Sequence, residues 1–250
     1  MKKAQSSVIY RGPSLIDGAP IVVVAIVQSG NVKTGNMVQT HILRADIAPL
    51  DASKTGADFS ICGACPHRGI ATDDPSKKQA KERTCYVNIG QGPTVVWKKF
   101  KRDGYPFANG IDAVAAIGAG RMVRLGTYGD PSAVPSEIWD ALLRDSAGRT
   151  GYTHQSGVAG ADVRNDLCMT SADTEQQARD AWARGERTFR IIASTADIVK
   201  GSESLCPASK EGGFRTTCDK CKLCGGNSIN ARSIAIVAHG SGAKYFGEVA

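Results

Sequence analysis

Runs of apolar residues of two kinds divide the chain. Pro20 to Gln28 is rich in β-branched residues and reads as a strand, and Met37 to Arg44 reads as a second. The turn residues Ser29, Gly30 and Asn31 begin the connection between them. Residues 1–55 therefore form a strand-rich N-terminal segment, with a boundary at Asp51 to Asp58, and 56–250 form the second unit. From about residue 85 short apolar strands alternate with helix patterns. Met122 to Thr127 is followed by a helix with Pro135 near its first turn and Ile138, Leu142 and Leu143 on one face. Gly151 to Gln155 and Asp166 to Thr170 are the next strands. Thr174 and Gln177 form a capping box for a helix that stops at Gly185. Phe189 to Ala193 and Ser233 to Ala238 are the last strands. This alternation predicts an α/β fold with a parallel sheet covered by helices, of the β/α-barrel kind.

Polar residues stand just beyond the strands: Asp130, His154, Gln155, Ser171, Ser194, Thr195 and His239. In a β/α barrel the carboxyl ends of the strands form the ligand-binding mouth. Asp130 and His154 are the candidates for general acid–base work there. Polar residues also belong in loops for solubility alone, which accounts for most of the set.

The longest apolar run, Ala19 to Val27, is too short to span a bilayer, so no membrane partner is expected. The N-terminus carries Lys2 and Lys3 with no apolar core behind them, which predicts a cytoplasmic protein rather than an exported one. The net charge of +7 is concentrated: between Ser76 and Arg102 eight basic residues face the single acid Glu82. With Trp97 and Tyr105 near Lys98, Lys99, Lys101 and Arg102, this segment is a candidate nucleic-acid surface. An amphipathic helix with Val96 and Phe100 inward and its lysines in water explains the same residues.

The eight cysteines change the picture most. Cys206, Cys218, Cys221 and Cys224 are spaced C-x11-C-x2-C-x2-C. A C-x2-C turn points two thiolates at one ion, and four soft ligands complete a shell around Zn2+ or a [4Fe–4S] cluster. Such a closed site is structural. Cys62, Cys65 and Cys85 form a second group, with His67 beside it. Three thiolates and His67 close a shell, whereas three thiolates alone leave a position open to substrate or cofactor. Cys168, in a strand pattern, reads as a small buried hydrophobe.

Several segments together resemble a family of phage-encoded proteins that has been compared with radical-SAM enzymes. They are Cys62-Gly63-Ala64-Cys65-Pro66 leading to Cys85-Tyr86-Val87-Asn88, Val123-Arg124-Leu125-Gly126 with Gly129-Asp130-Pro131 and Trp139, Gly151-Tyr152-Thr153-His154, and the tail from Cys206-Pro207-Ala208 to Cys224. The resemblance implies an incomplete β/α (TIM-like, radical-SAM-like) barrel, with the cysteine-rich module at 206–226 inside the 56–250 unit. It also implies an iron–sulfur cluster at the barrel mouth, S-adenosylmethionine as a possible cofactor, and the cytoplasm of an infected bacterial host. The sequence departs from the radical-SAM pattern in its C-x2-C-x19-C spacing and in having no clear Gly-Gly-Glu segment. Two functions are expected to compete. One is an iron–sulfur enzyme acting on a nucleotide or nucleic acid. The other is a non-catalytic, zinc-stabilised module that binds nucleic acid or protein.

Overall fold

The computed structural model describes residues 4–240 and 242–248, so Met1, Lys2 and Lys3 of the lysine-bearing N-terminus lie outside the described residues. The architecture is mixed α/β, with two five-stranded sheets in which parallel pairs together outnumber antiparallel ones. The first sheet has the order β1 (Ser7–Pro13), β2 (Pro20–Ile26), β3 (Val38–Arg44), β4 (Met122–Tyr128), β5 (Gly148–Thr150). Its β1–β2 and β2–β3 pairs are antiparallel, and its β3–β4 and β4–β5 pairs are parallel. The N-terminal strands are thus hydrogen-bonded into the same sheet as β4.

β2 is buried on both faces, with Ile21, Val22, Val23, Val24 and Ala25 all at 0% exposure. This is why it reads as an unbroken apolar run rather than an alternating one. Each such side chain contributes about 1.5–3 kcal/mol on burial. Helices α1 (Pro49–Thr55), α2 (Phe59–Cys62) and α3 (Gly92–Phe100) pack by β3, while α4 (Ile111–Gly118) and α5 (Ser136–Leu143) pack on each other. Proline stands in the first turn of α1 and α3, where its missing N–H costs nothing.

The second sheet is wholly parallel, with the order β6 (Tyr152–Thr153), β7 (Met169–Ala172), β8 (Thr188–Ile192), β10 (Ser233–Val237), β9 (Glu203–Leu205). Helix α6 (Glu175–Ala183) covers β7 and β8. Helix α7 (Cys218–Cys221) lies in the cysteine module between β9 and β10. The Thr174 side chain caps α6 by accepting from the Gln177 amide at 3.1 Å. The Gln177 side chain instead accepts from the Asp173 amide at 2.7 Å, so the reciprocal half of the box is displaced by one residue. The strand expected at Asp166 to Thr170 begins later. Arg164 holds Asp166 at 2.9 Å and its carbonyl accepts from Leu167 and Cys168, which makes a turn there.

The two sheets meet at Gly151, between β5 and β6. Its N–H donates to the Cys224 carbonyl at 3.1 Å, and its carbonyl accepts from Met169 at 2.9 Å. A Cβ at Gly151 would stand 2.7 Å from Cys168 Sγ and 3.3 Å from Leu125 Cβ. Gly151→Ala is therefore expected to cost about 1–3 kcal/mol through overpacking. Urea unfolding measures this, and an unchanged midpoint would show that the junction has slack.

Candidate metal centre at the carboxyl rim

The loop that carries Cys62 and Cys65 is held by ionic and main-chain contacts. Asp58 accepts from Arg68 Nε at 3.0 Å and Nη2 at 2.7 Å, and Arg68 also donates to the Gly56 and Gly63 carbonyls. Gly63 has φ +54°, and a Cβ there would lie 2.2 Å from Gln155 Oε1. Glycine thus lets the Gln155 amide enter the loop, where it accepts from Ala64 N at 3.1 Å and donates to the Cys62 carbonyl at 3.0 Å. Arg83 fixes the third cysteine segment by donating to the carbonyls of Cys85 at 3.0 Å and Val87 at 2.9 Å.

Above this loop three side chains converge. Asp173 follows β7 and His154 follows β6, so both stand at carboxyl ends of parallel strands. His67 comes from the cysteine loop and is buried. His67 Nε2 lies 2.8 Å from Asp173 Oδ1, and His154 Nε2 lies 3.3 Å from the same oxygen. The ligand atoms of His67, His154 and Asp173 all lie within 4.8 Å of one another. On its other side His67 Nδ1 meets Thr84 Oγ1 at 2.6 Å, and the ring stacks on Phe246. Burial works against ionised Asp173, but its hydrogen bonds with His154 and His67 prevail and hold it below the usual carboxylate range. Burial likewise opposes the His154 imidazolium, yet neighbouring Cys65 and the bond to Asp173 hold it well above its ordinary value.

Asp130 enters the site differently from the acid–base pairing expected of it. Its carboxylate accepts from the backbone N–H of His154 at 2.8 Å, from Ser132 N at 3.1 Å and Oγ at 2.9 Å, and from Gln155 Nε2 at 3.4 Å. The imidazole of His154 turns to Asp173 instead. The Asp130 carboxylate thus holds the His154 backbone rather than its ring. Asp173 was missed in the sequence because β7 was placed too early, which left Asp173 in the approach to a helix cap.

The first three cysteines lie around this centre. Burial pushes the Cys62 thiol well up, and Asp58, Cys65 and Cys85 add to the shift. Burial raises Cys85 as well, opposed by Arg83. The Tyr128 hydroxyl is buried and has no hydrogen-bond partner among the described residues; burial raises its pKa, and neighbouring Cys62 and Asp58 raise it further. No three cysteine sulfurs among the described residues come within 4.8 Å of one another. Thiolates on a single tetrahedral zinc would be about 3.8 Å apart.

Cys206 directly follows β9, and Cys218, Cys221 and Cys224 lie near enough to it for the thiols to influence one another. No three of these four sulfurs, all among the described residues, come within 4.8 Å of one another, so the expected four-thiolate shell is not assembled. The Cys218 amide donates to Lys33, ahead of β3, and Arg187, ahead of β8, donates to Gly226. Burial pushes Cys224 up to about 12; a hydrogen bond from Tyr152 opposes this, and the other three thiols add to it. Cys168 is buried beside β7.

Between the two cysteine groups lies a cavity of about 860 Å³. The pleat sends alternate residues of successive strands into it: Gln39 and His41, Arg124, Tyr152, Ser171, Phe189 and Ile191, Ile234 and Ile236. Thr84, Cys85 and Phe246 form the wall it shares with the rim site. Of the other polar strand-end residues, Ser194 caps a short exposed turn with Thr195, and exposed His239 packs near Tyr86. On α3 the lysines are exposed, but Lys101 lies over the Trp97 ring and Lys99 over Tyr105. Those faces are occupied by the chain's own cations.

Among the described residues no helix is long and apolar enough to cross a membrane. Comparison with protein-family models, with curated proteins and with solved structures finds no match.

Proposed function

We propose that this protein is a metal-dependent enzyme whose metal is held at the carboxyl rim by His67, His154 and Asp173. The observation that carries the reading is the convergence of two imidazoles and one carboxylate, buried or half-buried, beside a cavity large enough for a metabolite. A cation on two imidazoles and a carboxylate keeps positions open and supplies Lewis acidity to water or a substrate oxygen. The chain's own residues set the orientation. Thr84 Oγ1 accepts from His67 Nδ1–H when Nε2 faces the ion, and Asp130 fixes the His154 backbone. In this reading the strands complete an incomplete barrel through Gly151, with the metal over its mouth.

A second reading places an iron–sulfur cluster on Cys62, Cys65 and Cys85, with S-adenosylmethionine as its partner. What supports it is that Cys65 and Cys85 lie near enough to Cys62 to raise its thiol, in a loop beside the rim, while no three of the described sulfurs lie within 4.8 Å of one another. Cys206, Cys218, Cys221 and Cys224 then form a structural centre. The exposed lysines of α3 supply a salt-sensitive surface for an anionic polymer, without base stacking.

Metal and acid-labile sulfide measured on protein purified without oxygen decide between these readings. The mononuclear reading expects a divalent metal that Cys65→Ser retains. The cluster reading expects iron with sulfide that Cys65→Ser loses. Protein free of any metal would overturn both.

A further inference from the structure

The cavity is charged on one side of the ledger only. Among the described residues its lining includes Arg124, Lys33 and Lys222, and no aspartate or glutamate. Arg124, on β4, is 8% exposed. Its guanidinium lies 5.4 Å from the Tyr152 ring centroid and donates through Nη2 to the Tyr86 hydroxyl, and among the described residues it engages no carboxylate. On the neighbouring strand His41, 7% exposed, faces the same space with its Nδ1 unpartnered. The thiols of Cys218 and Cys224 also lie close enough to favour the charge on Arg124, but burial raises both toward the neutral form, so a ligand that brings a full negative charge lowers the cost of burying the cation.

We infer that the cavity binds a small organic oxyanion, a carboxylate or phosphate on an apolar or aromatic body, with Arg124 as the anion clamp and His41 as a hydrogen-bonding partner. The rest of the wall suits such a body: Tyr86, Tyr152, Phe189, Ile191, Ile234 and Ile236 present apolar or aromatic surface. Burial, and next the charge of Arg124, lower the His41 pKa to about 4, so His41 enters as a neutral donor or acceptor and leaves the ionic contact to Arg124. The planar guanidinium matches either oxyanion at two points. The inference goes beyond the rim metal and does not rest on it, since binding is read without turnover.

Ligand-observed NMR titration of the full chain with phenyl phosphate, benzoate and uncharged benzamide tests this. At least one anion is expected to bind saturably and about tenfold or more tightly than benzamide, and which anion binds identifies the headgroup. Arg124→Gln is expected to weaken that anion by about 10- to 100-fold and to leave benzamide unchanged. Equal binding of anion and amide, no binding of either anion, or an Arg124→Gln protein that binds as the wild type does would overturn it. The last result would show that Arg124 only balances the neighbouring thiols of Cys218 and Cys224. Should Arg124→Gln not fold, Arg124→Lys is read instead. It keeps the charge but loses the fork, and a drop of less than about threefold overturns the two-point clamp.

Discussion

Asp173→Asn is expected to lower the affinity of the rim for its metal by at least about a hundredfold. Residues that merely orient metal ligands commonly contribute about 10- to 100-fold, and a direct carboxylate ligand contributes no less. Asp173 Oδ1 is the one atom that both imidazoles face, at 2.8 and 3.3 Å, so its loss removes the charge and the geometric hub together. Asparagine keeps the size and one acceptor oxygen, which separates loss of charge from loss of packing. Competition with a chromophoric chelator measures the effect, with circular dichroism as the control for folding. Unchanged affinity in a folded variant would mean that His67, Asp173 and His154 form only a hydrogen-bonded brace between the cysteine loop and β7.

Glu203→Ala is expected to destabilise the fold by about 3–5 kcal/mol, because it leaves a buried guanidinium without its carboxylate. Glu203 on β9 takes Arg190 of β8 in a two-point pair at 2.8 and 2.7 Å, and it accepts from the Val199 amide at 2.9 Å. The two side chains are 0% and 5% exposed. β10 lies between their strands, so the pair reaches over it and fastens the edge strand that leads into Cys206. Urea unfolding reads the loss. Replacing both partners, as Arg190→Met with Glu203→Leu, is expected to recover much of it, since an apolar pair leaves no charge unpaired. A loss below about 1 kcal/mol in Glu203→Ala would show that water reaches Arg190.

The sequence by itself determined the elements whose signal is local. β2, β3, β8 and β10 are runs of β-branched residues, and α5 and α6 announce themselves by a proline or a threonine cap. Mixed α/β class followed from their alternation, and His154 was legible from the short strand pattern that begins at Gly151. β1 carries little signal because only Ser7, Val8 and Ile9 of it are buried, and β9 because three residues carry no period. Only the tertiary structure decided which partners meet. His67 and Asp173 are 106 residues apart, and their contact depends on the turn at Asp166 that sets where β7 begins. Asp130 was visible as a strand-end acid, but folding engaged its carboxylate with backbone and side-chain donors and gave the His154 imidazole to Asp173. Arg124 reads in the chain as one polar residue in an apolar strand. Its lack of a carboxylate partner exists only where several strands turn alternate residues into a common cavity, because charge balance is set by neighbours in space.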